Sequence, residues 1–411
     1  MITTDELLLL LSGIMLLGFV GEIAFRKKRI PDMLLLLLIG ILIHYSGIIP
    51  SVYISILRSL LSFVGIVALI LIVFGGLLKL DLQKFGHSLS KGIGTAIADL
   101  AFVIGLLTPI LYFVFKMPLL VSLLISTILS ETAAPFIIPL LARIKLDEAT
   151  KHTIEVETIF NSVLNVIGAL LILSLIDQPS TIVSITTYLF SSFSEAIVLG
   201  GVMGILWLIV LKQASAPHYY IATIAVLFVI WGVADYIGAS AILAVFIFSI
   251  LIANSHALSK ILKVSGTVDI TQLDFFNQEI TFIVLTIFYV YTGILVNIFD
   301  FQALIVAAIL TAAIIAMRFF EVFSMNGITK WFGRDSLLVS SFVHRGPTVI
   351  VLLGIVLSTN PALFSTFGNT VFYVVIFSIL AGSISFTVIS SRYATSAAVL
   401  TTSSNEQGVL K

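Results

Sequence analysis

Apolar segments long enough to cross a bilayer as helices, about 20 residues each, recur along the whole chain. The polar stretches between them are short, and none could form a soluble domain. This pattern predicts an all-α membrane protein with about thirteen transmembrane helices. The predicted spans are residues 5–25, 31–46, 58–80, 92–115, 118–142, 153–176, 188–211, 219–236, 239–254, 276–297, 302–325, 336–358 and 363–390. They form one transmembrane domain over residues 1–398, followed by a cytoplasmic tail at 399–411.

The composition supports the membrane assignment and excludes several function classes. Of the 411 residues, 59% are hydrophobic and only 10% are charged, whereas about a quarter of a soluble domain is charged. The net charge is zero, which argues against a nucleic-acid partner because such binding needs a basic excess. There is no cysteine, and no His-Glu-x-x-His spacing occurs, so neither a cofactor nor an enzymatic activity is predicted.

Basic residues mark the cytoplasmic side of the membrane. The loops after odd-numbered spans contain almost all of them, whereas opposite loops such as IDQPST (176–181) contain almost none. The basic positions are RKKR (26–29), Lys79, Lys84, Lys91, Arg143, Lys145, Lys151, Lys212, Lys260, Lys263, Lys330, Arg334 and Arg392. We expect a prokaryotic cell membrane, with the N-terminus outside, the C-terminus in the cytoplasm and the first apolar segment retained as a helix.

Two spans contain sequences that disrupt a helix, SETAAPFIIP (130–139) and VHRGPTVI (343–350). Proline removes a backbone donor and strains the preceding turn, and irregular backbone at membrane depth survives only where protein covers it or where it lines a cavity. The two spans are the fifth and the twelfth, an odd offset that reverses direction. This predicts two inverted six-helix repeats with broken crossing helices, about 1–176 and 219–390, joined by a linking helix at about 180–212. Kinks that serve packing alone are the alternative.

Ionisable side chains at bilayer depth need a partner, a hydrated cavity or a function, because their insertion costs a few kcal/mol. Glu195, Asp235 and Glu279 lie near span ends and can reach the headgroups. Arg318 and Glu321 are three residues apart on one helix and can pair. The full set of candidates is Asp99, Glu131, Glu157, Glu195, Asp235, Glu279, Arg318, Glu321 and Arg345.

One polar stripe follows the sixth span. Glu157, Asn161 and Asn165 are spaced at i, i+4 and i+8, so they share one helix face, and Ser162 lies beside it. A carboxylate, two amides and a hydroxyl suit a small hard cation or a proton relay. A hydrogen-bonded seam between helices is an equally open interpretation.

Several segments in this order resemble the sodium/proton exchanger family of the monovalent cation:proton antiporter superfamily. The segment most similar to a family motif is ETIFNSVLNVIG (157–168), which resembles Glu-Ser-(Leu/Ile)-(Phe/Leu)-Asn-Asp. The others are RIPDMLLLLLIGILIHYSG (29–47), VFGGLLKLDLQKF (73–85), WGVADYIGASAILAVFIFSILIAN (231–254), FFNQEITFIVLTIFYVYTGILV (275–296), AAIIAMRFFEVFSM (312–325) and VHRGPTVIV (343–351).

The resemblance implies a carrier, commonly a homodimer, in which one helical bundle moves against a scaffold and exchanges Na⁺, Li⁺ or K⁺ for H⁺. By position, Thr132 matches the threonine of the family's Thr-Asp-Pro motif, and Asn161 matches the asparagine of Asn-Asp. Glu157 matches a structural glutamate, and Arg345 matches the arginine expected to pair with it. Arg318 matches a basic residue of the eleventh span.

The chain departs from the family at the two aspartates that bind the ion. Ser162 stands at the aspartate of Asn-Asp and Ala133 at the aspartate of Thr-Asp-Pro. Serine can donate an oxygen but does not titrate near neutral pH. Glu131 is the nearest replacement carboxylate. The predicted ion site is therefore Glu131, Thr132, Asn161 and Ser162.

Three functions remain open from the sequence. The first is monovalent cation/proton antiport, with Glu131 as the group for which cation and proton compete. The second is proton-coupled transport of another solute or an anion, because the paired aspartates are missing. The third is a non-transporting membrane sensor or a channel-like conduit. Arg318, Asn165 and His344 are possible accessory residues, and His344 is a candidate pH sensor.

Overall fold

The computed structural model describes residues 9, 12–21, 23, 32–47, 51–80, 86–141, 144, 146–177, 182–213, 218–262, 268–295 and 300–408. Within these ranges every regular element is a helix. The helices are α1 (Ser12–Gly21), α2 (Asp32–Ser46), α3 (Ser51–Leu78), α4 (His87–Pro109), α5 (Leu119–Ile128), α6 (Ala134–Leu141), α7 (Glu148–Asp177), α8 (Ile182–Gln213), α9 (Tyr219–Ile237), α10 (Ala241–Ala253), α11 (Ser255–Leu262), α12 (Ile270–Leu295), α13 (Phe301–Thr329), α14 (Ser336–Val339), α15 (Pro347–Thr359) and α16 (Pro361–Gly408). A π turn, Ile110–Val114, continues α4, and a 3-10 turn, Gly333–Asp335, precedes α14.

The helices form because long apolar runs in lipid must satisfy their own backbone hydrogen bonds. Among the described residues, seven helices are long and apolar enough to cross a membrane, namely α4, α7, α8, α9, α12, α13 and α16. An eighth span results if α10 and α11, which meet at a bend of 77°, are counted as one. The apolar parts of α1, α2, α3, α5 and α15 are shorter. The part of the chain that the structure describes is therefore all-helical and has helices of the length and apolar character that a bilayer requires.

The helices pack into two groups. The broken-helix bundle consists of α4 to α7 and α13 to α16, in which α4 packs on α5, α7 and α13, and α16 packs on α13 and α15. The glycine bundle consists of α2, α3, α8, α9, α10 and α12, in which α12 packs on α2 and α3, and α10 packs on α8 and α3. The two bundles meet where α15 packs on α3 and where Phe160 of α7 meets Phe246 of α10 edge to face, with ring centroids 5.7 Å apart.

Both predicted disruptions are breaks in the helix. Residues 129–133 separate α5 from α6, and residues 340–346 separate α14 from α15. The prolines act differently from the expected kink within a helix. Pro135 lies in the first turn of α6 and Pro347 is the first residue of α15. A missing N–H leaves no hydrogen bond unmade in the first turn, so each proline begins the second half of its span.

Three further predictions concern the end of the last span, the acidic residues near span ends and the basic residues in the loops. The last helix continues to Gly408, past the predicted end of the last span at 390. Glu195, Asp235 and Glu279 are all exposed on the protein surface. Several predicted cytoplasmic positions lie outside the described residues, namely RKKR (26–29), Lys84, Arg143, Lys145 and Lys263.

Candidate functional site

The two breaks touch each other inside the broken-helix bundle. The backbone N–H of Ala133 donates to the carbonyl of His344 at 3.0 Å, and Nη1 of Arg345 donates to the carbonyl of Glu131. A Cβ added at Gly346 would lie 2.5 Å from that of Ala133, so only glycine allows this approach. Sequence disruptions more than two hundred residues apart thus form one crossing of unwound backbone.

Glu131 is fully buried, and its carboxylate lies against the N-terminus of α15. Oε2 accepts a hydrogen bond from the N–H of Gly346 at 2.6 Å, and the side chain of Thr348 also donates to the carboxylate. Oε1 accepts a longer hydrogen bond, 3.4 Å, from Oγ of Ser162. Helix N-termini favour negative charge. Glu131 therefore presents a carboxylate beside the position where the family has the aspartate of Asn-Asp.

Thr132 and Asn161 are held by a different carboxylate, that of Asp99 on α4. Oδ2 of Asp99 accepts from Oγ1 of Thr132 at 2.9 Å and from Nδ2 of Asn161 at 3.0 Å. Oδ1 of Asn161 in turn accepts from the backbone N–H of Thr132 at 2.8 Å. All three residues are fully buried. The four predicted ion-site residues thus divide between two carboxylates, with Ser162 at Glu131 and the other two at Asp99.

Arg318 of α13 links three buried carboxyl groups. Its Nη2 lies 2.6 Å from Oε1 of Glu157, and its Nη1 lies 3.1 Å from Oε2 of Glu321. Nη1 also lies 3.6 Å from Oδ1 of Asp99. The Arg318–Glu321 pair expected from the i,i+3 spacing is confirmed.

The expected ion pair between Glu157 and Arg345 is wrong, because the guanidinium at Glu157 belongs to Arg318. Arg345 lies on the second break and reaches across to the first one. There it donates to the carbonyl of Glu131 and lies 3.5 Å from the carbonyl of Ser130 and from Oγ1 of Thr132. Its backbone N–H donates to Oγ of Ser378 at 3.1 Å. Arg345 thus satisfies carbonyls that the broken helix leaves without intrahelical donors.

Asn165 also serves the broken span. Its amide donates to the carbonyls of Thr127 and Ile128, the last residues before the first break, and to Oγ of Ser130. These contacts cap the C-terminal end of α5. Within the polar stripe, Asn165 therefore forms a hydrogen-bonded seam between helices, whereas Glu157 and Asn161 contact the buried charged groups Arg318 and Asp99.

His344 lies buried at the crossing. Its ring stacks on Phe136 with centroids 6.2 Å apart, and its Nε2 lies 3.5 Å from Oγ of Ser383. A Cβ at Gly382 would lie within 2.9 Å of three ring atoms, so the imidazole packs directly against the α16 backbone. Its role as a pH sensor stays a prediction.

Asp99 was a candidate because of its depth in the bilayer, but it was not among the predicted ion-site residues. The available signal was a lone aspartate at bilayer depth in the fourth span, which gives no indication of its partners. Its contacts come from residues 33 and 62 positions away along the chain. Only the packing of α4 on the first break and on α7 brings them together.

The chain is similar to known proteins in part of its sequence and in its fold. A curated relative, "Probable Na(+)/H(+) antiporter 2" of Methanocaldococcus jannaschii, is 28% identical over 204 residues, which is 49% of this chain. The match spans about half, 47%, of that relative's length. The fold is similar to that of the sodium proton antiporter MjNhaP1 of the same organism, determined at pH 8, with a TM-score of 0.77 and 19% identity over 92% of this chain and 96% of that one. A second structure of MjNhaP1, from electron microscopy, gives a TM-score of 0.73 and 19% identity over 93% and 95% of the two chains.

The match to a family model covers nearly all of the chain. A family model described as "Sodium/hydrogen exchanger, transmembrane" matches residues 11–391. This range includes both breaks and every residue of the two carboxylate environments. The chain therefore belongs to the transmembrane sodium/hydrogen exchanger family.

Proposed function

We propose that this protein exchanges a monovalent cation, with Na⁺ as the first choice, for protons by alternating access. Family membership supports cation/proton antiport in general terms. The partial relative is named as a probable Na⁺/H⁺ antiporter. The choice of Na⁺ among monovalent cations and the coupling mechanism are our proposals.

The proposal includes an architecture of thirteen transmembrane helices in two inverted repeats, about 1–176 and 219–390, joined by the helix at about 180–212. The two breaks support it, since they lie in the fifth and twelfth predicted spans and contact each other. We further propose a homodimer in a prokaryotic cell membrane, with residues 1–398 as the transport domain, the N-terminus outside and the tail at 399–411 in the cytoplasm.

One observation is central to the proposed function: buried acids outnumber buried bases at the crossing. Four buried carboxyl groups face two buried guanidinium groups. They are Asp99, Glu131, Glu157 and Glu321 against Arg318 and Arg345. An uncompensated buried charge is strongly unfavourable, so a bound proton or monovalent cation would stabilise the site. Either one can neutralise the same carboxylate, and this mutual exclusion couples the two fluxes.

Glu131 is the proposed competing carboxylate. The side chain of Ser162 contacts it and is 8% exposed, whereas Glu131 itself is fully buried. Ser162 Oγ and the carboxylate together offer a cation oxygen ligands that suit a hard ion. Thr132 and Asn161 are proposed as further neutral ligands on the side of Asp99.

The excess of acidic groups also bears on the alternative functions. An anion would increase the negative charge of a site that is already acidic, so anion transport has no support from the geometry. A neutral solute coupled to protons remains testable by the same assay.

Reconstituted vesicles test the proposed function. With an imposed pH gradient, adding Na⁺ to wild-type vesicles should dissipate the gradient, and Glu131→Gln should abolish that response because the amide cannot exchange a proton. Li⁺, K⁺ and a range of neutral solutes tested in parallel identify the substrate.

Glu279→Gln is the matched control, because it is the same chemical change at an exposed position of the glycine bundle. It should retain the wild-type response. Wild-type vesicles whose gradient no monovalent cation dissipates would contradict the proposed exchange. Full activity in Glu131→Gln would remove this residue from the mechanism.

A further inference from the structure

The negative charge at the crossing is unevenly distributed between the two carboxylate environments. The carboxylate of Glu131 accepts from the N–H of Gly346 at the N-terminus of α15, and its backbone carbonyl accepts from Arg345. Asp99, Glu157 and Glu321 all lie around the guanidinium of Arg318, and Arg345 also faces Asp99 from the second break. Three of the four buried acidic groups at the crossing therefore lie around Arg318, away from Glu131.

Within this group, Asp99 differs from the other two acids. Glu157 and Glu321 lie 2.6 and 3.1 Å from Arg318. Asp99 lies farther away, at 3.6 Å, and its other oxygen binds neutral donors. Its Oδ1 accepts no hydrogen bond from a nitrogen or hydroxyl donor of the described residues, although the side chain is fully buried and the carboxyl group of Glu321 lies within hydrogen-bond reach of Asp99. A buried carboxylate oxygen without a donor is where a proton or a cation is most needed.

The neighbours of Asp99 provide the remaining ligands for a cation. Thr132 Oγ1 and Asn161 Nδ2 contact its Oδ2. The hydroxyl group of Thr132 and the amide group of Asn161 therefore both lie next to the carboxylate. Asn161 Oδ1 accepts from the N–H of Thr132, and an amide oxygen has a second lone pair available. Carboxylate, hydroxyl and amide oxygens are the ligands that hard cations prefer.

We propose that Asp99 is a second exchange site, at which a monovalent cation and a proton compete for one carboxylate between α4 and the first break. The inference rests on the proposed function and extends it, since exchange would then involve two acidic side chains rather than Glu131 alone. In the step itself, the carboxylic acid of Asp99 loses its proton to water and the cation takes its place. The charge of the site is unchanged, and no other bond is made or broken.

Asp99 also contacts the first break directly, through Thr132. Thr132 belongs to the first break, and its backbone is fixed through Asn161 of α7. A change of occupant at Asp99 therefore acts directly on the unwound stretch that Arg345 reaches from the other side. The charged groups that face Asp99 are Glu157 from α7, Arg318 and Glu321 from α13, and Arg345 from the second break.

Asp99→Asn in the full-length protein tests the proposal, with two measurements on detergent-purified protein. The first is the rise in melting temperature caused by NaCl, relative to choline chloride at equal ionic strength. The second is the number of protons released when Na⁺ is added in weak buffer. We expect the variant to fold, because asparagine keeps the shape and removes an excess negative charge. Its apparent Na⁺ affinity should fall by about tenfold or more, equivalent to about 1.4 kcal/mol, and its proton release should decrease.

Asp269→Asn is the matched control, since Asp269 is exposed and its Oδ1 caps α12 through the N–H of Gln272, a role that asparagine also fills. It should behave as wild type. A structural role for Asp99 predicts the opposite of the exchange role, namely a lower melting temperature in choline with an unchanged response to Na⁺. That result would overturn the proposal.

If Asp99→Asn fails to fold, Asp99→Glu replaces it. A shifted Li⁺/Na⁺ preference in the Na⁺-induced stabilisation would support direct coordination, and an unchanged preference and affinity would overturn it. The proposed function is tested separately, by measuring whether Na⁺ dissipates a pH gradient in wild-type vesicles. If wild type exchanges Na⁺ for protons and Asp99→Asn does so with normal affinity, only this inference fails. If wild type does not exchange, but Asp99 is needed for Na⁺ binding, only the proposed function fails.

Discussion

The two bundles are stabilised by opposite means. In the glycine bundle, α2 and α12 approach until their backbones touch, since a Cβ added at Gly40 would lie 2.8 Å from the Cα of Gly293. In the broken-helix bundle, two spans are broken into halves, and buried charged side chains lie around the breaks. Close backbone packing resists movement, whereas a charged centre responds to whichever ion or proton occupies it. We therefore propose a supporting role for the first bundle and ion exchange in the second.

The largest effect is expected from removing the shared cation of the broken-helix bundle. Arg318→Met leaves three buried carboxyl groups without their common partner, which should lower the free energy of unfolding by about 3–5 kcal/mol. Thermal unfolding in detergent measures this loss. Lys260→Met, at an exposed position, is the control and should change stability little.

A second change should partly reverse that loss. Adding Glu157→Gln to Arg318→Met removes the carboxylate closest to the missing guanidinium, so the double variant should be more stable than Arg318→Met alone. An Arg318→Met protein that is as stable as wild type would mean that the buried acids are already neutral, and the charge contrast between the bundles would be lost.

An intermediate effect is expected from filling the backbone contact of the glycine bundle. The Cβ of Gly293→Ala would lie 3.0 Å from the Cα of Gly40 and closer still to the carbonyl of Leu37. The crowding should cost about 1–3 kcal/mol of stability. Gly232→Ala on α9 is the same change where nothing lies within 4 Å, and it should be neutral or stabilising by up to about 1 kcal/mol. Equal melting temperatures for the two variants would contradict a rigid contact between α2 and α12.

Much of the fold was predictable because its cause is local. Apolar runs fixed the positions of helices, and Pro135 and Pro347 marked both breaks, since proline limits where a helix can continue. The Arg318–Glu321 pair was predictable from spacing on one helix. Family membership was recognisable from several segments in order. The number of crossings and the repeat symmetry stay predictions.

The site was less predictable, because its contacts join residues from different helices. Which arginine meets Glu157 depends on how α13 packs beside α7, and the sequence contains two buried arginines that could serve. Asp99 gave no pattern of its own, since its partners Thr132 and Asn161 belong to other helices. Glu131 was identified because it is adjacent to the proline-marked break, which is a local signal.

The smallest effects are expected from replacing one buried asparagine by alanine in each bundle. Asn277 of α12 is buried in the glycine bundle and donates from Nδ2 to the carbonyl of Leu71 at 3.1 Å. Asn277→Ala removes one hydrogen bond, which should cost about 1 kcal/mol of stability and leave exchange in vesicles unchanged.

Asn161→Ala is the same substitution in the broken-helix bundle, where the amide joins Asp99 to the backbone of Thr132. Its effect should appear in the exchange assay, as a weaker apparent Na⁺ affinity, because the proposed cation loses a neutral ligand and Asp99 loses a donor. Stability and exchange measured together on both variants separate the two roles. If Asn277→Ala impairs exchange as strongly as Asn161→Ala does, the glycine bundle takes part in ion binding and the division between the bundles is wrong.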